Sequence, residues 1–146
     1  MNKAQCPSCR GPMFRQSFAH RMQGVVELDL CFSCQGIWFD EWESPQIAPG
    51  GVIDLFRLIH AHRDDPRQTL RDTLSCPHCQ TPLLHARDRV KSGPFNYYRC
   101  LQRHGRFTAF AQFMIEKGFV RQLNGGEIKQ LQARLGTISC SSCGAP

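Results

Sequence analysis

The first half of the chain contains two short stretches in which apolar and polar side chains alternate. They cover residues 14–19 and 24–30, and in the second stretch Val26, Leu28 and Leu30 fall on one face. This period of two is typical of β-strands and predicts a β-hairpin. A hairpin of this size buries too little apolar surface to fold alone, so its stability must come from another source.

The pattern changes to helical spacing in the middle of the chain. A helix predicted over residues 52–63 carries an apolar face that is too wide to stay exposed. The apolar positions of this helix are Val52, Ile53, Leu55, Phe56, Leu58 and Ile59. The face either packs against the rest of the chain, which we favour, or forms a partner or dimer surface. Asp65 and Pro66 then predict a short second helix, and His60 and His62 are expected to face solvent.

Two further helices are predicted in the last third of the chain. The first covers residues 109–117 and ends at Gly118, a residue type that commonly terminates helices. The second begins with the capping pair Asn124 and Glu127 and ends at Gly136. The apolar positions of the two helices are Phe110, Phe113, Met114, Ile128, Leu131 and Leu135. Core packing is the expected role of the first of these two faces.

Cysteine content adds the candidate chemistry. Of the 146 residues, nine are cysteine, nine are proline and 41% are apolar. Eight cysteines form C-x-x-C pairs, and the ninth, Cys100, forms a C-x3-H pair with His104. The C-x-x-C pairs are Cys6/Cys9, Cys31/Cys34, Cys76/Cys79 and Cys140/Cys143. No apolar stretch has the form of a signal peptide or a membrane span, so we expect a cytoplasmic protein whose reduced thiols bind metal rather than form disulfides.

The first predicted metal site combines the two N-terminal pairs. Between Cys9 and Cys31 lie 21 residues, which is close to the spacing of a four-cysteine zinc ribbon. In such a ribbon each C-x-x-C forms a tight turn, and two turns at the ends of a hairpin complete a tetrahedron around Zn²⁺. Gly11 and Gly36 follow the turns, where a positive φ is expected. The free energy of zinc binding would then stabilise a hairpin that is otherwise too small to fold.

The residues around this site resemble a known family. The runs CPSCRGPM and ELDLCFSCQGIWFDEWE resemble the transcription-factor-IIB-type zinc-ribbon family found in bacterial proteins, over about the first 43 residues. The matching positions are Cys6, Pro7, Cys9, Pro12, Met13, Asp29, Cys31, Cys34, Gly36, Trp38, Asp40 and Glu43. The resemblance implies zinc binding and a ribbon fold, and the family name points to transcription without fixing a role. Ser44 and Pro45 interrupt the helix that follows in the family, which leaves Asp40 and Glu43 as a capping pair rather than catalytic acids.

The second predicted site repeats the first, with histidine as the last ligand. Cys76 and Cys79 are followed, after 20 residues, by Cys100 and His104. His78 and His85 are alternative ligands, but only His104 has the spacing of a second pair. The runs YYRC and HGRFTAF of this half resemble the second ribbon of longer bacterial relatives of the same family, and the repeated layout indicates internal duplication.

Both sites are predicted to be structural rather than catalytic. A catalytic zinc usually has three protein ligands and an open position, whereas each predicted site supplies four ligands. No βαβ pattern accompanies the C-x-x-C pairs, which argues against a thiol redox enzyme. We therefore expect a non-enzymatic protein that binds two zinc ions per chain.

The charge is concentrated in the second half. The formal charge of the chain is +6, and seven thiolates with two zinc ions would bring it to about +3. A strand over residues 85–91 would place Arg87, Arg89 and Lys91 on one face. The remaining members of the predicted binding face are Tyr97, Tyr98, Arg99 and Arg103, close to Phe95. Cations beside aromatic rings suit nucleic acid, but they also serve protein interfaces or are simply solvated.

Both predicted sites have four ligands without the last pair, Cys140 and Cys143, so we expect this pair to carry no complete metal site within this chain. It opens a third ribbon in a longer chain, which we favour, shares zinc with a second copy of the chain in a homodimer, or stays unliganded. The predicted organisation is 1–45 first ribbon, 46–75 helical linker, 76–108 second ribbon, 109–136 helical segment and 137–146 orphan knuckle. We expect a small α+β adaptor that recognises a protein partner, with nucleic-acid or transcription-linked binding as the alternative and no membrane association.

Overall fold

The computed structural model describes residues 4–40, 46–120 and 124–136. In this part of the chain six strands form one antiparallel sheet, in the order β1-β2-β3-β6-β5-β4, accompanied by three helices. The strands are β1 (Phe14–Ala19), β2 (Val25–Cys31), β3 (Gly36–Asp40), β4 (Leu84–Val90), β5 (Gly93–Arg99) and β6 (Gly105–Ala109). The helices are α1 (Pro49–Ala61), α2 (Phe110–Glu116) and α3 (Gly125–Leu135). The predicted α+β class is confirmed. None of the described helices is long and apolar enough to span a membrane.

The sheet consists of two three-stranded halves that meet at β3 and β6. Each half has a hairpin followed by a third strand, and the two third strands pair antiparallel, with Trp38 opposite Phe107 at the middle of the seam. The hairpin β1–β2 and the strand β4 were predicted from their alternating pattern and are confirmed. The third strands were not predicted, and they join both halves into a single sheet.

The two halves repeat each other in detail. Ahead of each hairpin, a short bridge closes the knuckle, Gln5 with Pro12 in the first half and Ser75 with Pro82 in the second. The amide of Cys6 donates to the carbonyl of Gly11, and the amide of Cys76 donates to that of Thr81. The strand order then reads the same from either edge toward the centre, which gives the sheet an approximate two-fold symmetry about the seam.

One face of the sheet is covered by α1 and α2. Val52, Leu55 and Ile59 of α1 are buried against this face, so the predicted helix packs internally as expected. The buried members of this core are Phe18, Val26, Leu28, Leu30, Ile37, Phe39, Ile47, Val52, Leu55, Ile59, Phe110 and Phe113. The helix starts at Pro49, earlier than predicted, because proline at the first helical position needs no amide partner. Ile53 lies on its outer side and is 44% exposed.

The opposite face holds a second core in which both cysteine clusters take part. Trp38 and Phe107 of this core are completely buried. The buried members of this core are Cys6, Met13, Cys31, Cys34, Trp38, Leu70, Leu74, Cys76, Cys100 and Phe107. The cysteines therefore serve as core residues as well as possible ligands, and the two clusters share one hydrophobic environment.

The segment after α1 differs from the sequence prediction. No helix forms after Pro66; instead this segment runs across the first half, where the amide of Gln68 donates to the carbonyl of Ser33 at 2.8 Å. The extended segment forms backbone hydrogen bonds with the rest of the chain. A short isolated helix would be only marginally stable here. His60 is exposed as predicted, whereas His62 is only partly exposed: its ring stacks on Phe32 with centroids 3.7 Å apart, and its Nδ1 atom forms a hydrogen bond with the carboxylate of Asp65.

The last two helices follow the prediction closely. Helix α2 ends just before Gly118, whose φ is +81°, and its Phe110 and Phe113 are buried in the first core. Helix α3 is capped by Asn124, whose side chain accepts a hydrogen bond from the amide of Glu127 at 2.9 Å. Among the described residues, none of those in α3 is buried and none belongs to either core.

Candidate metal centres

The first cysteine cluster is assembled from both ends of the β1–β2 hairpin. Cys6 and Cys9 lie in the turn before β1, Cys31 ends β2, and Cys34 lies in the turn that leads into β3. Their four sulfur atoms lie within 4.8 Å of one another, with the Sγ atoms of Cys9 and Cys31 3.9 Å apart. Three of the four side chains are buried, which leaves Cys9 as the partly exposed member.

The second cluster has the same construction in the other half. Cys76, Cys79, Cys100 and His104 place their ligand atoms within 4.8 Å of one another. The Nδ1 atom of His104 is 3.5 Å from the sulfur of Cys100 and 3.7 Å from that of Cys76. Histidine at the C-x3-H position thus completes this group, as the sequence spacing predicts.

The separations in both clusters fit a tetrahedral metal ion. With metal–sulfur bonds of about 2.3 Å and a metal–nitrogen bond of about 2.0–2.1 Å, a tetrahedron places two sulfurs about 3.8 Å apart and sulfur and nitrogen about 3.6 Å apart. The sulfur–sulfur distances are 3.9 Å in the first cluster and, between Cys79 and Cys100, 3.6 Å in the second. A disulfide requires about 2.05 Å, and all seven described cysteines are free. Both groups can therefore hold a metal ion.

Backbone amides that point at the sulfurs fix the knuckle turns. In the first half the amide of Gly11 donates to Cys9, and in the second half the amide of His78 donates to Cys76, both at 3.4 Å. Such bonds orient the thiolates before any ion binds and stabilise their charge. Within the four turns that carry the ligands, positive φ angles fall on four non-glycine residues and not on Gly11 or Gly36, so the prediction for these two glycines is wrong. The residues concerned are Arg10, Gln35, Gln80 and Arg103.

Gly36 is required for a different reason, which is space. A Cβ atom built on Gly36 would lie 1.9 Å from the Phe107 ring. At the equivalent place in the other half, a Cβ on Gly105 would lie 2.1 Å from the carbonyl oxygen of Phe39 and 2.9 Å from the Trp38 ring. Each half thus supplies a glycine over which the central aromatic ring of the other half lies, and the seam closes because neither position carries a side chain.

Hydrogen bonds among the thiols distribute their charge unevenly. In the first cluster, bonds from Cys34 and Cys6 bring the pKa of the Cys31 thiol far below its usual range. The same bond to Cys31 raises the pKa of Cys34 to about 12. In the second cluster, bonds from the Thr81 side chain and backbone lower the pKa of Cys79 to about 6, while burial raises that of Cys76 to about 12. Closely spaced thiols resist full ionisation together, and a bound cation is the charge that would allow it.

The two clusters are also linked to each other by polar contacts. The guanidinium of Arg10, in the first knuckle, donates to Gln80 at 2.8 Å and to the hydroxyl of Ser75 at 2.6 Å, both at the second knuckle. Asp40 accepts from the indole of Trp38 and forms a hydrogen bond with Nε2 of His78, each at 2.9 Å. Sequence reasoning missed this role for Arg10, because the partners are far apart along the chain.

These contacts also bear on the capping pair that was predicted for Asp40 and Glu43. Asp40 is the last residue of strand β3, and its carboxylate is engaged by Trp38 and His78. Glu43 lies outside the described residues, as does Cys140 with its partner Cys143.

The residues of the predicted binding face are divided between several places. Arg87 and Arg89 are exposed on β4, and Lys91 lies in the turn that follows. Tyr97 and Tyr98 point to opposite faces of β5: the first lies under the guanidinium of Arg106, and the second stacks on His85. Arg99 at the end of β5 and Arg103 in the turn before His104 are exposed too. Phe95 is buried.

The chain was compared with protein-family models, with curated proteins and with solved structures, and none of the three comparisons gave a match.

Histidine substitutions will separate the ligand from its neighbour. We expect His104→Ala to lower the metal content by at least one ion per chain, because it removes one of the four donors of the second cluster. His78→Ala is the matched control in the same knuckle: its Nε2 atom bonds Asp40 rather than the cluster, so the metal content should stay unchanged. Metal analysis of both purified variants checks the pair, and a loss of metal only in His78→Ala would reverse the assignment.

Proposed function

We propose that the chain is a non-enzymatic interaction module in which two structural zinc ions hold one six-stranded platform together. The observation that carries this proposal is the pair of four-ligand clusters at tetrahedral separations inside a shared core. Sets of three or four thiolates, with or without one imidazole, are the ligands typical of structural zinc. Reduced thiols require a reducing compartment such as the cytoplasm, which is part of the proposal.

Several features favour a structural role for the metal over catalysis. Four protein ligands close the coordination shell of zinc and leave no position for water or substrate. Backbone amides donate to the sulfurs of Cys9, Cys31, Cys76 and Cys100, and five of the seven cysteines in the two clusters are buried. The resemblance to transcription-factor-IIB-type zinc ribbons belongs to the same proposal, since that family implies structural zinc and a ribbon fold.

Nucleic-acid binding through the second half is the competing function. The exposed cations of β4 and its surroundings favour it, because they would attract a phosphate backbone. The aromatic rings that would stack on bases are less suited to it. Phe95 is buried, the ring of Tyr97 is under Arg106, and Tyr98 stacks on His85. Protein recognition therefore accounts better for this surface.

A metal count with a native mass tests the proposal. We expect the purified full-length chain to contain two zinc ions per chain, and the Cys140→Ser/Cys143→Ser variant to retain both. Native mass spectrometry would detect a third ion shared by a dimer through the last cysteine pair. Fewer than two ions per chain in a folded sample, or iron in place of zinc, would overturn the proposal and favour thiol or redox chemistry.

A further inference from the structure

The two edge strands of the sheet, β1 and β4, occupy equivalent places in the two halves but differ in what lies along their outer edges. At the end of β1, a segment of the same chain adds to the outer edge. His20 bridges Ile47, the amide of Ala48 donates to the carbonyl of Ala19 at 2.8 Å, and Arg21 and Gln46 are joined in the same way. No described residue covers β4 in this manner. The first half therefore shows how this kind of edge accepts an extended segment.

The outward-facing backbone groups of β4 can be assigned from its pairing with β5. Arg87 lies opposite Asn96 and Arg89 opposite Pro94. The amide of Asn96 is directed away from β4, to the side chain of Gln112, and Pro94 has no amide. In an antiparallel ladder such positions are the pairs without mutual hydrogen bonds. The backbone groups of Arg87 and Arg89 consequently point to the open edge of β4. At the equivalent edge of β1, the carbonyl of Ala19 accepts its hydrogen bond from Ala48.

The same residues carry the charge of this edge. Arg87 and Arg89 are exposed, and their side chains have neither an ion pair nor a hydrogen bond among the described residues. Lys91 adds a third cation at the turn. Asp88 is the acidic residue of β4, and its carboxylate accepts a hydrogen bond from the amide of Arg89 at 2.7 Å. A carboxylate of the chain itself thus accepts a hydrogen bond from one of the outward-facing amides of this edge.

These observations select the chemistry of the occupant. Two copies of β4 placed side by side would bring arginines opposite arginines, which is unfavourable across a strand pair. An extended segment with acidic side chains at alternate positions would instead pair its backbone with the edge and its carboxylates with the arginines. We infer that the outer edge of β4 is a docking site for an acidic, extended segment of a partner protein, which adds a seventh strand to the sheet. This inference rests on the proposed function and names the class of partner.

Peptide binding to the zinc-loaded full-length chain tests the inference. The probe is a dye-labelled ten-residue peptide that alternates glutamate with threonine or valine, measured by fluorescence anisotropy. One control peptide replaces glutamate by lysine, and another keeps the glutamates but carries N-methyl groups on alternate amides. We expect the acidic peptide to bind and both controls to bind at least about tenfold more weakly, because one lacks the charge and the other the backbone donors.

Variants of the protein locate the binding. Arg87→Glu/Arg89→Glu should weaken binding of the acidic peptide at least about tenfold. Arg99→Glu, a matched reversal on β5, should change it less than about twofold. Arg87→Pro removes an outward amide, and it should weaken binding more than Arg87→Gln, which removes only the charge.

The possible results are distinguishable. Equal binding of the N-methylated peptide, or tighter binding of a single-stranded oligonucleotide by the same arginines, would overturn strand addition in favour of charge-driven binding of polyanions. Failure of the acidic peptide to bind a folded chain with two zinc ions would overturn the inference and leave the proposed function standing. A zinc count on the same sample detects failure of the proposed function itself.

Discussion

Loss of either metal ion is expected to unfold the whole six-stranded sheet, not only the half that held the ion. Cys31→Ser in the first cluster and Cys76→Ser in the second should each abolish the cooperative thermal transition and expose Trp38. The two clusters lie in the same hydrophobic core, together with the buried rings of Trp38 and Phe107. When one knuckle opens, its side chains leave this core, and the other half loses the packing that they provided.

The magnitudes support a global effect. Binding of a structural zinc contributes on the order of 10 kcal/mol, whereas the net stability of a domain is about 5–15 kcal/mol. Removing one ligand also leaves the remaining thiolates close together without a compensating charge. Opening of the first knuckle would also break the hydrogen bonds of Arg10 with Gln80 and Ser75, which join this knuckle directly to the second.

Circular dichroism and tryptophan fluorescence of the two variants, with and without added zinc, measure the effect. Cys143→Ser is the control for the chemistry of the substitution, because both clusters have four ligands without it, and it should melt like the parent chain. Amide resonances that persist in the second half of Cys31→Ser would contradict the prediction and show that the halves fold independently.

The ligands and the hairpin were predictable because their signals are local. A C-x-x-C turn brings two sulfurs together within four residues, and the alternation along β2 is visible in the sequence. The strand β3 gave no such signal, since Gly36, Ile37, Trp38 and Phe39 are all buried and form a continuous apolar run. Its pairing with β6 depends on residues far apart in the chain, which local patterns do not report.

The predicted binding face is an error that the sequence alone could have prevented, because successive side chains of a strand point to opposite faces. Tyr97 and Tyr98 are neighbours in one strand, so their side chains must point to opposite faces of the sheet. Treating them as one surface with Arg87 and Arg89 ignored that alternation. The glycines illustrate a further limit: the sequence marked Gly36, but its reason is the ring of Phe107 in the other half, and nothing local indicates that neighbour.

Substitution of Gly36 is expected to have the second largest effect on stability. In Gly36→Ala the new methyl group would overlap the Phe107 ring, which is completely buried at the seam and cannot move aside. Overpacking of a core commonly costs about 1–3 kcal/mol, and we expect at least about 3 kcal/mol here because the clash lies on the strand pair that joins the halves. Chemical denaturation of the zinc-loaded protein measures the loss. Gly50→Ala is the control, since its Cβ would meet no atom within 4 Å in helix α1.

A smaller partner tests whether the effect is steric. Phe107→Leu combined with Gly36→Ala should cost less than the sum of the single changes, because the shortened side chain leaves room for the methyl group. Gly105→Ala should show no comparable rescue by Trp38→Leu. There the Cβ also approaches the backbone carbonyl of Phe39, and the φ of +149° disfavours any side chain. Additive losses for Gly36 and Phe107 would mean that the glycine is needed for its backbone, whereas a rescue confined to this pair places the requirement in the ring of the opposite half.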